Sequence, residues 1–168
     1  MFQIDDYLYY ASGGVCRVAD IRYAPLAGMP EDRLYYVLHS LHDSNSVMYV
    51  PVDSDTVFLR PLMNREEAME LIHRIPEIQL LEAPNAKALR VCYIDAMKTH
   101  APEEWVRVIK TVRDRILQLA RTSRTQRISD TERSFEEDAK RYLRTELSLA
   151  LEMPAEELEA YIRAQDKQ

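Results

Sequence analysis

Leu34-Tyr35-Tyr36-Val37-Leu38-His39, then Asp43-Ser44-Asn45-Ser46, then Val47-Met48-Tyr49-Val50-Pro51-Val52 is the stretch that decides how the first third of the chain folds. Two runs rich in aromatic and β-branched residues flank a short cluster of Asp, Ser and Asn. Strands favour the first kind of residue and tight turns the second, so the stretch predicts a hairpin. Upstream, Tyr7-Leu8-Tyr9-Tyr10 and Val15 to Ile21 read as strands joined by the small-residue turn Ala11-Ser12-Gly13-Gly14. Alternation in the second places Val15, Ala19 and Ile21 on one face. Pro25 to Asp32, with two prolines and Gly28, reads as a loop, and Thr56 to Arg60 as a last strand. Five short strands in about 60 residues predict a small twisted barrel of the SH3 or Tudor kind.

From residue 64 the period becomes helical. Asn64 followed by Glu67 makes a capping box for a helix over 65–74, which Pro76 stops. Asn85 caps a second helix running to about Thr99. Pro102 opens a third, whose Trp105, Ile109, Val112, Ile116 and Leu119 form an apolar stripe at spacings of 4, 3, 4 and 3. Arg121 to Ile128 is polar and reads as a loop. Ser129 with Glu132 opens a long helix to about Leu151, with Phe135, Ala139, Tyr142, Leu143, Leu147 and Ala150 inward. Pro154 starts a short last helix carrying Leu158, Tyr161 and Ile162. The fold class is therefore α+β: a β-barrel over residues 1–61, then an all-α domain of four to five helices over 62–168.

Composition limits the chemistry. With 46% hydrophobic and 30% charged residues the chain can build a core and stay in solution. Only three glycines occur, too few for phosphate-cradling loops. No apolar run reaches the ~20 residues that cross a bilayer. Met1 to Asp6 shows neither the basic nor the apolar region of a signal peptide. Cys16 and Cys92 match no zinc or CxxC spacing and predict free thiols in a reducing, cytoplasmic setting. His39 and His42, three apart in a predicted strand, point to opposite faces and cannot share an ion. His73 and His100 stand alone near helix ends. Acidic pairs such as Glu66-Glu67 and Glu103-Glu104 sit at helix starts, where they suit the helix dipole. No nucleophile setting is recognisable, so the expectation is a non-enzymatic protein without metal or cofactor.

Charge is uneven. The chain carries a net −6, yet residues 87–127 hold ten basic and four acidic side chains. Arg107, Lys110, Arg113, Arg121, Arg124 and Arg127, with Arg133, form a block suited either to a solvated helix face or to phosphate. Seven of the ten tyrosines (Tyr7, Tyr9, Tyr10, Tyr23, Tyr35, Tyr36 and Tyr49) fall in the acidic β-domain. Tyrosine offers large area at low entropy cost, which suits a protein interface better than phosphate.

The order of these motifs resembles the CarD/CdnL family, whose first domain is shared with transcription-repair coupling factors. Phe2, Asp5-Asp6, Tyr7 to Tyr10, Ser12 to Val15, Gly28, Tyr35 to Leu38, Val50-Pro51-Val52 and Val57 to Arg60 carry the likeness in the β part. Ser129 to Arg133 and Ala139 to Ala150 carry it in the last long helix. The resemblance implies a monomeric bacterial regulator whose barrel docks on the RNA polymerase β subunit through Arg22, Tyr23, Tyr49, Val50 and Pro51. It implies a helical domain that meets promoter DNA upstream of the bubble and modulates open-complex stability. The family's wedge tryptophan falls at Leu89, with Arg90 beside it, while the one tryptophan, Trp105, lies on the apolar stripe. Arg121, Arg124, Arg127 and Arg133 are the further DNA-contact expectations. An adaptor whose helical domain recruits another protein, without touching DNA, is the alternative.

Overall fold

A computed structural model describes residues 1–165. The chain divides into two compact units, Met1–Leu62 and Met63–Gln168.

The first unit is one antiparallel sheet of β1 (Tyr7–Tyr10), β2 (Gly14–Tyr23), β3 (Leu34–Ser40), β4 (Val47–Pro51) and β5 (Leu59–Pro61). Its spatial order is β4-β3-β2-β1-β5, and the five strands make the small Tudor-like unit expected. Gly14, at φ 70°, adopts the left-handed backbone that lets the chain reverse between Tyr10 and β2. One face carries the core: Leu8, Cys16, Val18, Tyr36, Leu38 and Val50, with Ile21, Met48 and Leu59 packed against it. Phe2 closes this core edge-on to Tyr36 at 6.0 Å, and its backbone N–H donates to the Tyr36 hydroxyl at 3.0 Å.

The face assignment read from alternation in β2 is corrected here. A bulge between Val18 and Asp20 inserts Ala19 as an extra residue. Ile21 therefore rejoins Cys16 and Val18 on the core face, while Val15 faces the other way. The N-terminal segment pairs beside the bulge: Val18 donates to the Asp6 carbonyl and Asp5 to the Val18 carbonyl, both at 2.8 Å. The last strand is also shorter and later than its apolar run suggested, because residues 52–58 go into turns.

The second unit is helical: α1 (Arg65–Arg74), a 3-10 turn (Ile75–Glu77) holding Pro76, α2 (Ala86–Lys98), α3 (Pro102–Thr122), α4 (Asp130–Leu151) and α5 (Ala155–Gln165). Both capping boxes form, Asn64 with Glu67 and Ser129 with Glu132, and Asn85 caps α2 through the Ala88 N–H. Trp105 is fully buried and packs on Tyr142 at 5.6 Å, and Tyr93 stacks on Phe135 at 5.5 Å. The apolar stripe of α3 is buried only through Val112; Ile116 is 39% exposed. Past that point α3 runs on beyond its buried neighbours, and it takes in Arg121 and Thr122, whose polar sequence favours a loop.

Candidate functional site

The sheet register sorts the expected docking residues by face. Residues directly opposite in an antiparallel pair share a face. Arg22 pairs with Tyr35 and Tyr35 with Pro51, which makes one row across β2, β3 and β4. Asp20, Val37 and Tyr49 make the next row on that face. Arg22, Tyr49 and Pro51 are thus brought together. Tyr23, opposite Leu34, lies at the strand end on the other face and is 63% exposed.

Val50 is a correction. Its place opposite Tyr36 sends the side chain into the core, where it is 2% exposed. Its side chain holds the strand in place and is out of a partner's reach.

Among the described residues β4 has a strand neighbour on one side only, which makes it an edge strand, the kind to which a partner strand can add. Both ends of β4 are pinned electrostatically. Before it, Asp43 accepts from the Asn45 N–H at 3.0 Å and from the Ser46 hydroxyl, and these bonds hold its carboxyl below the usual range. After it, Arg33 Nε donates to Asp53 at 2.9 Å, which likewise lowers the Asp53 carboxyl. The Asp43 bonds lie within the turn that its Asp, Ser and Asn residues predict, whereas the Arg33–Asp53 tether is invisible in the motif pattern, since the two are twenty residues apart.

In the helical unit the basic block divides in two. Arg107 is bound to Glu104 and the Gln79 carbonyl, Lys110 to the Ile75 and Ile78 carbonyls at 2.7 and 2.6 Å, and Arg113 reaches the buried Glu136 at 3.8 Å. These cations hold helices and loops together. Arg121, Arg124, Arg127 and Arg133 are exposed and, among the described residues, pair with no carboxylate. Arg124, Arg127 and Arg133 line a cleft of about 450 Å³ whose wall includes Ile116, Leu119 and Ile128. Arg90 projects from α2 and is not in that cleft.

Leu89 is the second correction. It lies on the buried side of α2 with Tyr93 and Ala96, at 7% exposure, so it cannot enter a base step. The histidine reading changes in detail too. His39 is in β3, whereas His42 lies beyond the strand end at Ser40. Among the described residues no three His, Cys, Asp or Glu side chains gather as metal ligands. None of the helices described is long and apolar enough to cross a membrane. A network that the periodicity did not reveal joins Arg115 Nε to Glu132 at 2.5 Å and the Tyr93 hydroxyl to the same carboxylate at 3.2 Å. Burial beside this carboxylate pushes the Tyr93 hydroxyl well up.

A scan of family models places residues 2–63 in the CarD-like/TRCF RID domain. The first unit is a CarD-like/TRCF RID domain. The match spans the whole β unit and ends where the helical unit begins. It bears out the likeness read from Phe2 to Arg60. The CarD-like/TRCF RID domain is a non-catalytic, RNA polymerase-interacting module, and it gives the chain a transcription-related role. No curated protein matches the chain.

Proposed function

We propose that the chain is a regulator of transcription initiation that docks on the RNA polymerase β subunit through its β unit and acts through its helical unit. The match of residues 2–63 to a polymerase-interacting domain carries this reading. The register supports a docking surface made of Arg22 and Pro51, which flank the buried Tyr35, with Tyr49 beside them and the outer edge of β4. Main-chain bonds along an added strand supply affinity, and the side chains of Arg22, Tyr49 and Pro51 supply selectivity. Arg33–Asp53 and the Asp43 turn keep that edge in place before a partner arrives.

The helical unit meets promoter DNA upstream of the bubble through Arg121, Arg124, Arg127 and Arg133, with Arg90 as a separate contact. Support comes from four exposed guanidinium groups around one cleft and linker, without a carboxylate among its lining residues. With Leu89 buried, this contact acts on phosphates and lengthens the life of the open complex without a side chain inserted into a base step. The reading keeps the protein non-catalytic, monomeric, cytoplasmic and bacterial.

Photo-crosslinking tests the docking assignment. The full chain carrying p-benzoylphenylalanine in place of Tyr49 is mixed with core RNA polymerase and irradiated. A crosslink to the β subunit is expected; a crosslink to another subunit, or none, overturns it.

A further inference from the structure

Away from the arginine cleft, α3, α4 and α5 enclose a recess of about 200 Å³. Its walls are Val106 and Ile109 of α3, Leu143 and Leu147 of α4, and Leu158 and Ile162 of α5. Five cations stand around it: Lys110, Arg113, Lys140, Arg144 and Arg163. Four of them share two carboxylates. Glu136 takes Lys140 at 2.7 Å and Arg113 at 3.8 Å, and Glu159 takes Arg144 and, at 3.9 Å, Arg163. Lys110 is held by main-chain carbonyls alone, so the rim is strongly positive over an apolar floor.

Size and chemistry narrow the occupant. An apolar cavity of ~150 Å³ holds a benzene ring. Pockets for whole drug-sized molecules run to roughly 300–1,000 Å³. The recess therefore suits one large side chain better than a complete small ligand. No aromatic residue lines it, so it offers bases nothing to stack on. The positive rim asks for carboxylates beside the inserted group.

We propose that this recess is a docking site for an acidic segment of a partner protein, which buries one large apolar side chain there. Leu143 and Leu147 form the floor, Ile109 and Ile162 grip the inserted group from either side, and Lys110, Arg144 and Arg163 meet the flanking carboxylates. This site is independent of the polymerase-docking face and of the arginine cleft, and it gives the helical unit a means of holding a second protein.

The test is fluorescence anisotropy of the full chain with a fluorescein-labelled peptide in which a single phenylalanine is flanked on both sides by aspartates and glutamates. Saturable binding is expected, weakening about tenfold when alanine replaces the phenylalanine. Ile162→Trp, which fills the recess, reduces binding by a similar factor. Arg163→Glu, on a side chain 79% exposed and safe for the fold, also weakens it, whereas a double Arg124→Ala, Arg127→Ala variant does not. Equal affinity for the phenylalanine and alanine peptides overturns the proposal. So does binding untouched by Ile162→Trp with an unaltered circular dichroism spectrum, loss confined to the Arg124, Arg127 variant, or displacement of the peptide by oligothymidylate.

Discussion

Arg22 and Pro51 stand on either side of Tyr35 in a single row that crosses β2, β3 and β4. They are almost thirty positions apart in sequence, and the bulge at Ala19 decides that they meet. Without that extra residue, everything in β2 after Val18 would change face, and Arg22 would leave the row. The proposed docking surface therefore depends on a backbone irregularity as much as on the side chains it displays.

The neighbours Tyr49 and Val50 separate docking from stability. Val50→Ala removes two buried methyl groups and is expected to cost about 2 kcal/mol. Urea denaturation reads this as a lower midpoint with an unchanged slope, and polymerase affinity stays the same while the fold persists. Tyr49→Ala behaves in the opposite way: little change in midpoint, weaker binding. If Val50→Ala weakens binding at full foldedness, the face assignment is wrong.

Leu89→Ala acts on the fold as well. A leucine this deep in a helix interface loses about 2–5 kcal/mol on truncation. Thermal unfolding shows a large drop, and open complexes saturated with still-folded variant last as long as with the unaltered protein. Stability that does not change, with shorter-lived open complexes, would restore Leu89 as a DNA contact.

Helix ends were legible because their causes are local. Asn64 with Glu67, Asn85, Pro102, and Ser129 with Glu132 each announce a helix start within four residues, and all four helices begin there. The order of strands and turns was legible for the same reason. Facing was not. The bulge at Ala19 has no glycine to mark it, and Val15 and Ile21 look alike in a count of every second residue. Ile116 continues the α3 stripe in sequence, but its helix outlasts the partners that would cover it. The proposed docking residues rest on likeness to a family, and the likeness identifies a strand without telling which of Tyr49 and Val50 points outward. Arg124, Arg127 and Arg133 were legible as charge, whereas the internal use of Arg107, Lys110 and Arg113 depends on carbonyls and carboxylates that only folding brings near.

The two thiols differ in reactivity. Cys16 is buried in the β core, and burial pushes its thiol from 9.0 up to about 11, while Cys92 is half-buried on α2. Iodoacetamide at pH 8 is expected to label Cys92 in the native protein and Cys16 only in denaturant, read by peptide mass spectrometry. Since the folded state holds the Cys16 proton more tightly, its stabilising share is intact below pH 9 and declines as pH rises from 9 to 11. Cys16→Ala removes that part of the alkaline loss. Native labelling of Cys16 at the rate of Cys92 contradicts the burial argument.

The arginine cleft predicts a salt signature. For a duplex spanning the upstream edge of a promoter, a double Arg124→Ala, Arg127→Ala variant should lower the slope of log affinity against log salt by about 2, near 0.9 per phosphate lost. Titrations at several salt concentrations measure it. A slope equal to that of the unaltered chain assigns these arginines to solvent.

The central claim is that the β unit grips RNA polymerase by the face that Arg22, Tyr49 and Pro51 share. Its most direct test is the affinity of the full chain for core RNA polymerase, measured beside an Arg22→Glu, Tyr49→Ala variant and the Arg124→Ala, Arg127→Ala variant. The account predicts binding by the unaltered chain, a loss of about tenfold or more in the first variant with its fold intact, and no loss in the second. Binding that is absent in the unaltered chain, or equal in the first variant, would contradict it.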